Sequence, residues 1–194
     1  MANPTKSTQM RHSSRLAAVQ YLYQWKLEAK MPDMARFIEA TNERQLEPKE
    51  ESPDEHMLAP KASADMAFLR KLLTGYAQEN ETVRLYLESQ MEEGRAHDRT
   101  SPLIQSLLEA GAYELIHHDN IKTNIILSEY TAIAARFFDN PELGFVNGVL
   151  QEAAKLIRDA NAKEGSIPEK APSEEADKKP KFTVEIREST AEKD

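Results

Sequence analysis

The chain of 194 residues contains no cysteine, which excludes thiolate nucleophiles, zinc–thiolate sites and iron–sulfur ligation and fits a reducing cytoplasm. Its 40% apolar content can fill one core or two small ones, yet no run approaches the ~20 apolar residues of a membrane span. The stretch after Ser14 is broken by Arg15, Gln20, Gln24 and Lys26, so no signal sequence is expected either.

A net charge of −8 would argue against nucleic acid, because phosphate binding draws on lysine and arginine. The charge is polarised, however. Lys6, Arg11, Arg15, Lys26 and Lys30 face only Glu28 within the first thirty residues, while every later stretch is acidic overall.

After a flexible start at residues 1–10, Leu16, Val19, Tyr23 and Leu27 recur at helical spacing, flanked by Ala18, Leu22 and Trp25, and predict a first amphipathic helix. Arg11 and Arg15 lie one turn apart near its start and share a face. A second helix is expected from Asp33 through Met34, Phe37 and Ile38, fading by Gln45. Residues 46–62, with three prolines and many charges, read as a disordered insertion. Ala64, Phe68, Leu69, Leu72, Leu73 and Tyr76 form the stripe of a third helix that can run through Val83, Leu87 and Met91 until Gly94.

Ser101 before Pro102 is a helix start, a hydroxyl cap followed by a residue whose missing N–H costs nothing in the first turn. Leu103, Leu107, Gly111 and Leu115 continue it. A fifth helix carries Ile126, Tyr130, Ile133 and Phe137. A sixth opens near Asn140-Pro141 and holds Phe145, Val146, Val149, Leu150, Ala153, Leu156 and Ile157. Residues 159–194 have the composition of a disordered charged tail, in which Phe182, Val184 and Ile186 alternate with polar residues as an added strand would. The chain therefore reads as all-α, with a helical region over 11–158 split into subdomains at about 11–94 and 101–158.

Little in this pattern asks for catalysis. His117, His118 and Asp119 are the densest set of metal-ligating types, but neighbours on a helix point about 100° apart and no second cluster completes a site. They fit a helix C-terminus, where cationic and hydrogen-bonding groups suit the dipole. Glu109 and Glu114, five residues apart, fall on different parts of the helix surface. Gly144 and Gly148 are flanked by charge and suit close helix packing beside Asn147 rather than a membrane dimer. With no glycine-rich phosphate loop and no nucleophile–base pair, no enzyme, cofactor or metal is expected. The basic helix start is different: arginines at i and i+4, with His12, Ser13 and Ser14 as further donors, can hold successive phosphates, although two arginines also suit an ordinary solvated helix end.

Four strings carry a resemblance. Arg11-His-Ser-Ser-Arg15-Leu-Ala-Ala-Val-Gln20-Tyr-Leu-Tyr23, Phe68-Leu-Arg-Lys-Leu-Leu-Thr-Gly75, Gly111-Ala-Tyr-Glu-Leu115 and Phe145-Val-Asn-Gly-Val-Leu150 resemble, in order and spacing, motifs of the NusB transcription antitermination family, with Ser128-Glu129 standing where the family has Asn-Glu. The resemblance spans about Arg11 to Arg158. It implies two packed three-helix subdomains with a disordered internal loop and C-terminal tail. It also implies an adaptor that binds boxA RNA together with the small-subunit ribosomal protein NusE and loads the RNA polymerase antitermination complex at ribosomal RNA operons. Carried residue by residue, it puts RNA contacts at Arg11, His12, Arg15 and Phe145 and a partner contact at Tyr23.

Two positions depart from the pattern. Ile104 stands where the family has an acidic residue, and Glu109 where it has an arginine, so both are expected to alter the partner or RNA surface. Two alternatives stay open: a NusB-like protein-interaction module with weak or no RNA binding, and a homodimer. RNA methyltransferases that carry a NusB-like domain would need a methyl-donor domain and a cysteine that this chain lacks.

Overall fold

In the computed structural model, residues 5–46, 63–89, 91 and 100–164 are described, and they form six helices with no strand among them. They are α1 Lys6–Glu28, α2 Met34–Leu46, α3 Met66–Glu88, α4 Pro102–His117, α5 Thr123–Ala134 and α6 Asn140–Glu164. The internal segment 47–62 and the tail from 165, including the alternating Phe182–Ile186 stretch, lie outside the described residues, as does Gly94.

The helix ends follow local chemistry. Thr5 caps α1 by accepting from the Thr8 N–H at 3.3 Å, so the helix begins five residues before Arg11. Asp65 caps α3, accepting from the Phe68 N–H at 3.0 Å, and Ser101 caps α4 from Ile104 at 3.3 Å with Pro102 in the first turn. The backbone of α1 ends on Ala29 in the left-handed region at φ 50°, a conformation that favours glycine. At the other end of the chain α6 continues past Arg158 to Glu164, beyond the boundary at which composition turns polar.

The fourth helix organises the molecule. It packs against α1, α3, α5 and α6, and its residues from Ser106 to Leu115 are all buried. Such a helix must be apolar nearly all round, and Leu107, Leu108, Ala110, Ala112 and Leu115 supply that surface. Two close approaches depend on glycine. A Cβ at Gly75 on α3 would lie 1.7 Å from the Tyr113 hydroxyl, and one at Gly111 on α4 would lie 2.9 Å from Leu150 on α6. One core cluster runs through both halves, from Leu16, Leu69 and Leu73 to Ile126, Ile133 and Leu150.

Gly144 and Gly148 have a different environment from the one their spacing suggests. Nothing lies within 4 Å of a Cβ built at either, so close helix packing is not their role.

Candidate nucleic-acid interface

The first turns of α1 meet α3, α4 and α5 through a polar network in which the two arginines are treated differently. Arg15 is 2% exposed and directs its guanidinium inward. Its Nε donates to Glu114 Oε2 at 2.9 Å, its second terminal nitrogen to Glu114 Oε1 at 2.6 Å, and the remaining one to Glu129 Oε2 at 3.3 Å. Tyr130 donates its hydroxyl to the same Glu114 carboxylate at 3.1 Å. Burial alone would lower the arginine's pKa, but the Glu114 hydrogen bonds and charge outweigh it and hold the guanidinium above its ordinary value. This is a bidentate pair of the strong kind, and it joins α1 to α4 and α5.

Arg11, one turn earlier, is exposed and forms no ion pair among the described residues. Its guanidinium lies 5.4 Å from the centroid of the Phe68 ring, and that of Arg15 lies 5.3 Å from the same centroid. The phenyl ring thus orients both cations without neutralising either.

His12 completes the rim. Its Nδ1 is 2.9 Å from Glu129 Oε2, so Glu129 is clasped between His12 and Arg15. Burial would raise that carboxyl, but the His12 hydrogen bond and the Arg15 charge hold it below its usual range. A carboxylate that would repel phosphate beside Arg11 is therefore held by two partners.

The serines expected as phosphate donors are occupied elsewhere. Ser13 Oγ donates to the Gln9 carbonyl at 3.2 Å, and Ser14 Oγ to the carbonyls of Met10 and Asp65 at 3.1 and 2.8 Å, both side chains being buried. Ser14 thereby ties α1 to the start of α3, where the Asp65 N–H donates to Met10 O at 3.2 Å. Sequence spacing put Arg15 on one solvent face with Arg11; the structure puts Arg15 beneath that face as a support for it. Phe145 is half-buried on α6, and α5 packs against both α6 and α1.

The residues expected at a partner surface also divide. Tyr23 is 36% exposed and is followed by exposed Leu27 on the C-terminal half of α1 and by exposed Met31 in the loop just beyond it. Ile104 and Glu109 are interior instead, at 8% and 0%. Ile104 fills the core where an acid would be unpaired, and Glu109 cannot touch a partner or RNA directly. Its Oε1 accepts from Lys26 Nζ at 2.7 Å, while Oε2 accepts a short hydrogen bond from the Tyr76 hydroxyl. Burial and this carboxylate push the Tyr76 hydroxyl well above the usual phenol range.

His118 is likewise inside, 2% exposed between Phe68 and Tyr113, whose ring centroids are 5.7 and 5.8 Å away. Its Nε2 has no hydrogen-bond partner among the described residues, and burial holds its pKa below the ordinary value, aided by Lys71, His117 and Arg15 against the opposing pull of Glu114. No group of three metal-ligating side chains is gathered among the described residues, and no helix among them is long and apolar enough to cross a membrane.

Sequence reasoning missed the interior pairs Arg15–Glu114 and Lys26–Glu109. A usable signal existed: both carboxylates sit in the otherwise apolar run of α4, and a buried carboxylate requires a cation.

Known proteins place this arrangement. The chain is 31% identical over 153 residues to the transcription antitermination protein NusB of Sphingopyxis alaskensis, covering 79% of this chain and 97% of that protein. The NusB of Caulobacter vibrioides is also 31% identical, with 78% and 96% covered. The fold matches NusB in a crystal structure of the antitermination factors NusB and NusE with double-stranded RNA, with a TM-score of 0.59 at 20% identity over 76% of this chain and 97% of that one. The sequence pattern of the NusB family matches residues 12–155, from the basic rim of α1 to the body of α6, and the chain belongs to the NusB family.

Proposed function

We propose that the chain is an RNA-binding transcription antitermination factor that holds boxA-type RNA at the N-terminal end of α1 and works together with NusE in the RNA polymerase antitermination complex. The observation that carries the reading is Arg11: exposed, without a carboxylate partner among the described residues, and oriented over Phe68, while the Glu129 carboxylate is bound by the neighbouring His12 and by Arg15. A phosphate arriving there finds a guanidinium unpaired among the described residues and a Glu129 carboxylate already held by two partners. His12 lines the same rim and Phe145 offers a half-buried ring for a base, while Arg15 acts by fixing the rim.

NusE docks in this reading along Tyr23, Leu27 and Met31. Tyr23 lies twelve residues beyond Arg11, roughly 18 Å along the same helix, so α1 presents the RNA rim and, with the loop after it, the partner surface. Ile104 and Glu109 support that surface from beneath. The reading needs no catalysis and places the protein in the bacterial cytoplasm, where its relatives' transcription role belongs. The domain division at about residues 94–101 is part of the same proposal.

The test is fluorescence anisotropy of a labelled boxA-type RNA titrated with the full chain, with and without NusE, across a salt series. Binding strengthened by NusE is expected, and Arg11→Ala should lower the salt slope by about 0.7, the loss of one single-strand phosphate contact. No affinity at low salt even with NusE present leaves the protein-interaction module as the function, carried by the Tyr23–Leu27–Met31 strip alone.

A further inference from the structure

A shallow groove of about 370 Å³ runs between α3 and α4, lined by Ala67, Arg70, Lys71, Thr74, Gly75, Gln78 and Tyr113. We propose that this groove is a second nucleic-acid subsite, which receives single-stranded RNA flanking the segment held at Arg11. The inference rests on the RNA-binding reading and extends its footprint from α1 onto α3.

Charge is the first argument. Arg70 and Lys71 are exposed and form no ion pair among the described residues, unlike Arg15 and Lys26, which the fold uses internally. Two free cations on one rim, in a chain of net charge −8, suit a polyanion.

Continuity is the second. The Arg11 guanidinium lies over Phe68, and Lys71 is the next residue on that side of α3, three positions further along. The Lys71 and His117 charges both act on His118, which packs against the same Phe68 ring. The cations therefore form one path from the start of α1 into the groove.

The floor is the third. Tyr113 crosses the bare backbone of Gly75, and the exposed His117 stacks on Tyr113 with centroids 4.8 Å apart and planes at 30°. Tyr113, 5% exposed and covered by His117, closes the floor, and the groove offers backbone at Gly75 and the polar ends of Thr74 and Gln78 for sugar or base edges.

The test compares a boxA-type RNA with the same RNA extended by single-stranded flanks, bound by the full chain with NusE present. In the variant R70A/K71A, both changes at solvent-exposed positions, the salt slope for the extended RNA should fall by about 1.4, at roughly 0.7 per lost contact, while the short RNA binds as before. In the unsubstituted protein the amide resonances of Gly75 and Gln78 should move with the extended RNA and stay in place with the short one. If Arg11→Ala weakens both RNAs but R70A/K71A distinguishes neither, the groove is not an RNA subsite and the wider reading stands. If R70A/K71A instead weakens NusE capture alone, the groove is a protein surface and the inference is overturned. If no RNA binds at all, both fall.

Discussion

The guanidinium of Arg15 is flanked by two carboxylates and has almost no contact with solvent, whereas that of Arg11, one turn away, has no anionic partner among the described residues. The difference follows from what each meets across the helix interface: Arg15 lies over α4 and its buried Glu114, Arg11 over the edge of Phe68. Removing one member of a buried pair leaves an uncompensated charge, at a cost of about 3–5 kcal/mol. Arg15→Ala should therefore lower stability by that amount in urea denaturation, while Arg11→Ala, an exposed change, stays within about 0.5 kcal/mol. Adding Glu114→Gln to Arg15→Ala should recover part of the loss, because a neutral amide can still accept from Tyr130 without stranding a charge. An Arg15→Ala variant as stable as the unsubstituted chain would place the guanidinium at the surface after all. A double alanine variant at positions 11 and 15 thus mixes a lost RNA contact with a damaged fold.

At the scale of elements, α1 and α4 are held at two points, Arg15 to Glu114 and Lys26 to Glu109, and the reversed order of the partners makes the helices antiparallel. The second clasp sits beneath the Tyr23–Leu27 strip. Glu109 is buried in an otherwise apolar stretch of α4, and Lys26 supplies the cation that compensates its charge. Glu109→Arg should therefore destabilise the protein by about 3 kcal/mol, since it opposes Lys26 and strips the Tyr76 hydroxyl of its acceptor. Lys26→Glu in the same chain should restore a measurable part of this loss in thermal melting. Additive losses would show that the two side chains do not interact. The helices themselves were legible because the spacing of residues such as Leu16, Val19, Leu69, Leu73 and Leu150 is a local property. The inward arginine and glutamates were not legible, since a charged residue scores as surface wherever it falls, and its partner lies about 80 to 100 positions away in sequence. Serines 13 and 14 misled for the same reason: a hydroxyl beside an arginine reads as a donor to phosphate until the neighbouring carbonyls are in place.

For the molecule as a whole, the join between α1, α3, α4 and α5 contains two groups, among the described residues, whose titration couples folding to acidity. His118 is buried with its pKa depressed from 6.5, and Glu129 is held by His12 and Arg15 with its pKa depressed from 4.5. For the histidine, the unfolded chain takes up a proton at a pH where the folded protein still resists it, so the unfolded state binds more protons and stability falls as the pH drops below about 6.5. For the glutamate the sign is the same: the ion pairs stabilise the fold above about 4.5, and that contribution disappears as the pH falls through the lowered folded value. The two losses follow in sequence on acidification, histidine first. Thermal melting across this range should show a midpoint that declines in two stages, and His118→Phe, which keeps a ring between Phe68 and Tyr113 and cannot titrate, should remove the upper stage alone. Because His12 and Glu129 form part of the same rim, the lower stage, which neutralises Glu129 and releases His12 and Arg15 from it, should also change RNA affinity even where the protein is still folded. An upper stage that persists in His118→Phe would assign it to another group, and RNA affinity unchanged through the lower stage would separate Glu129 from the RNA-binding rim.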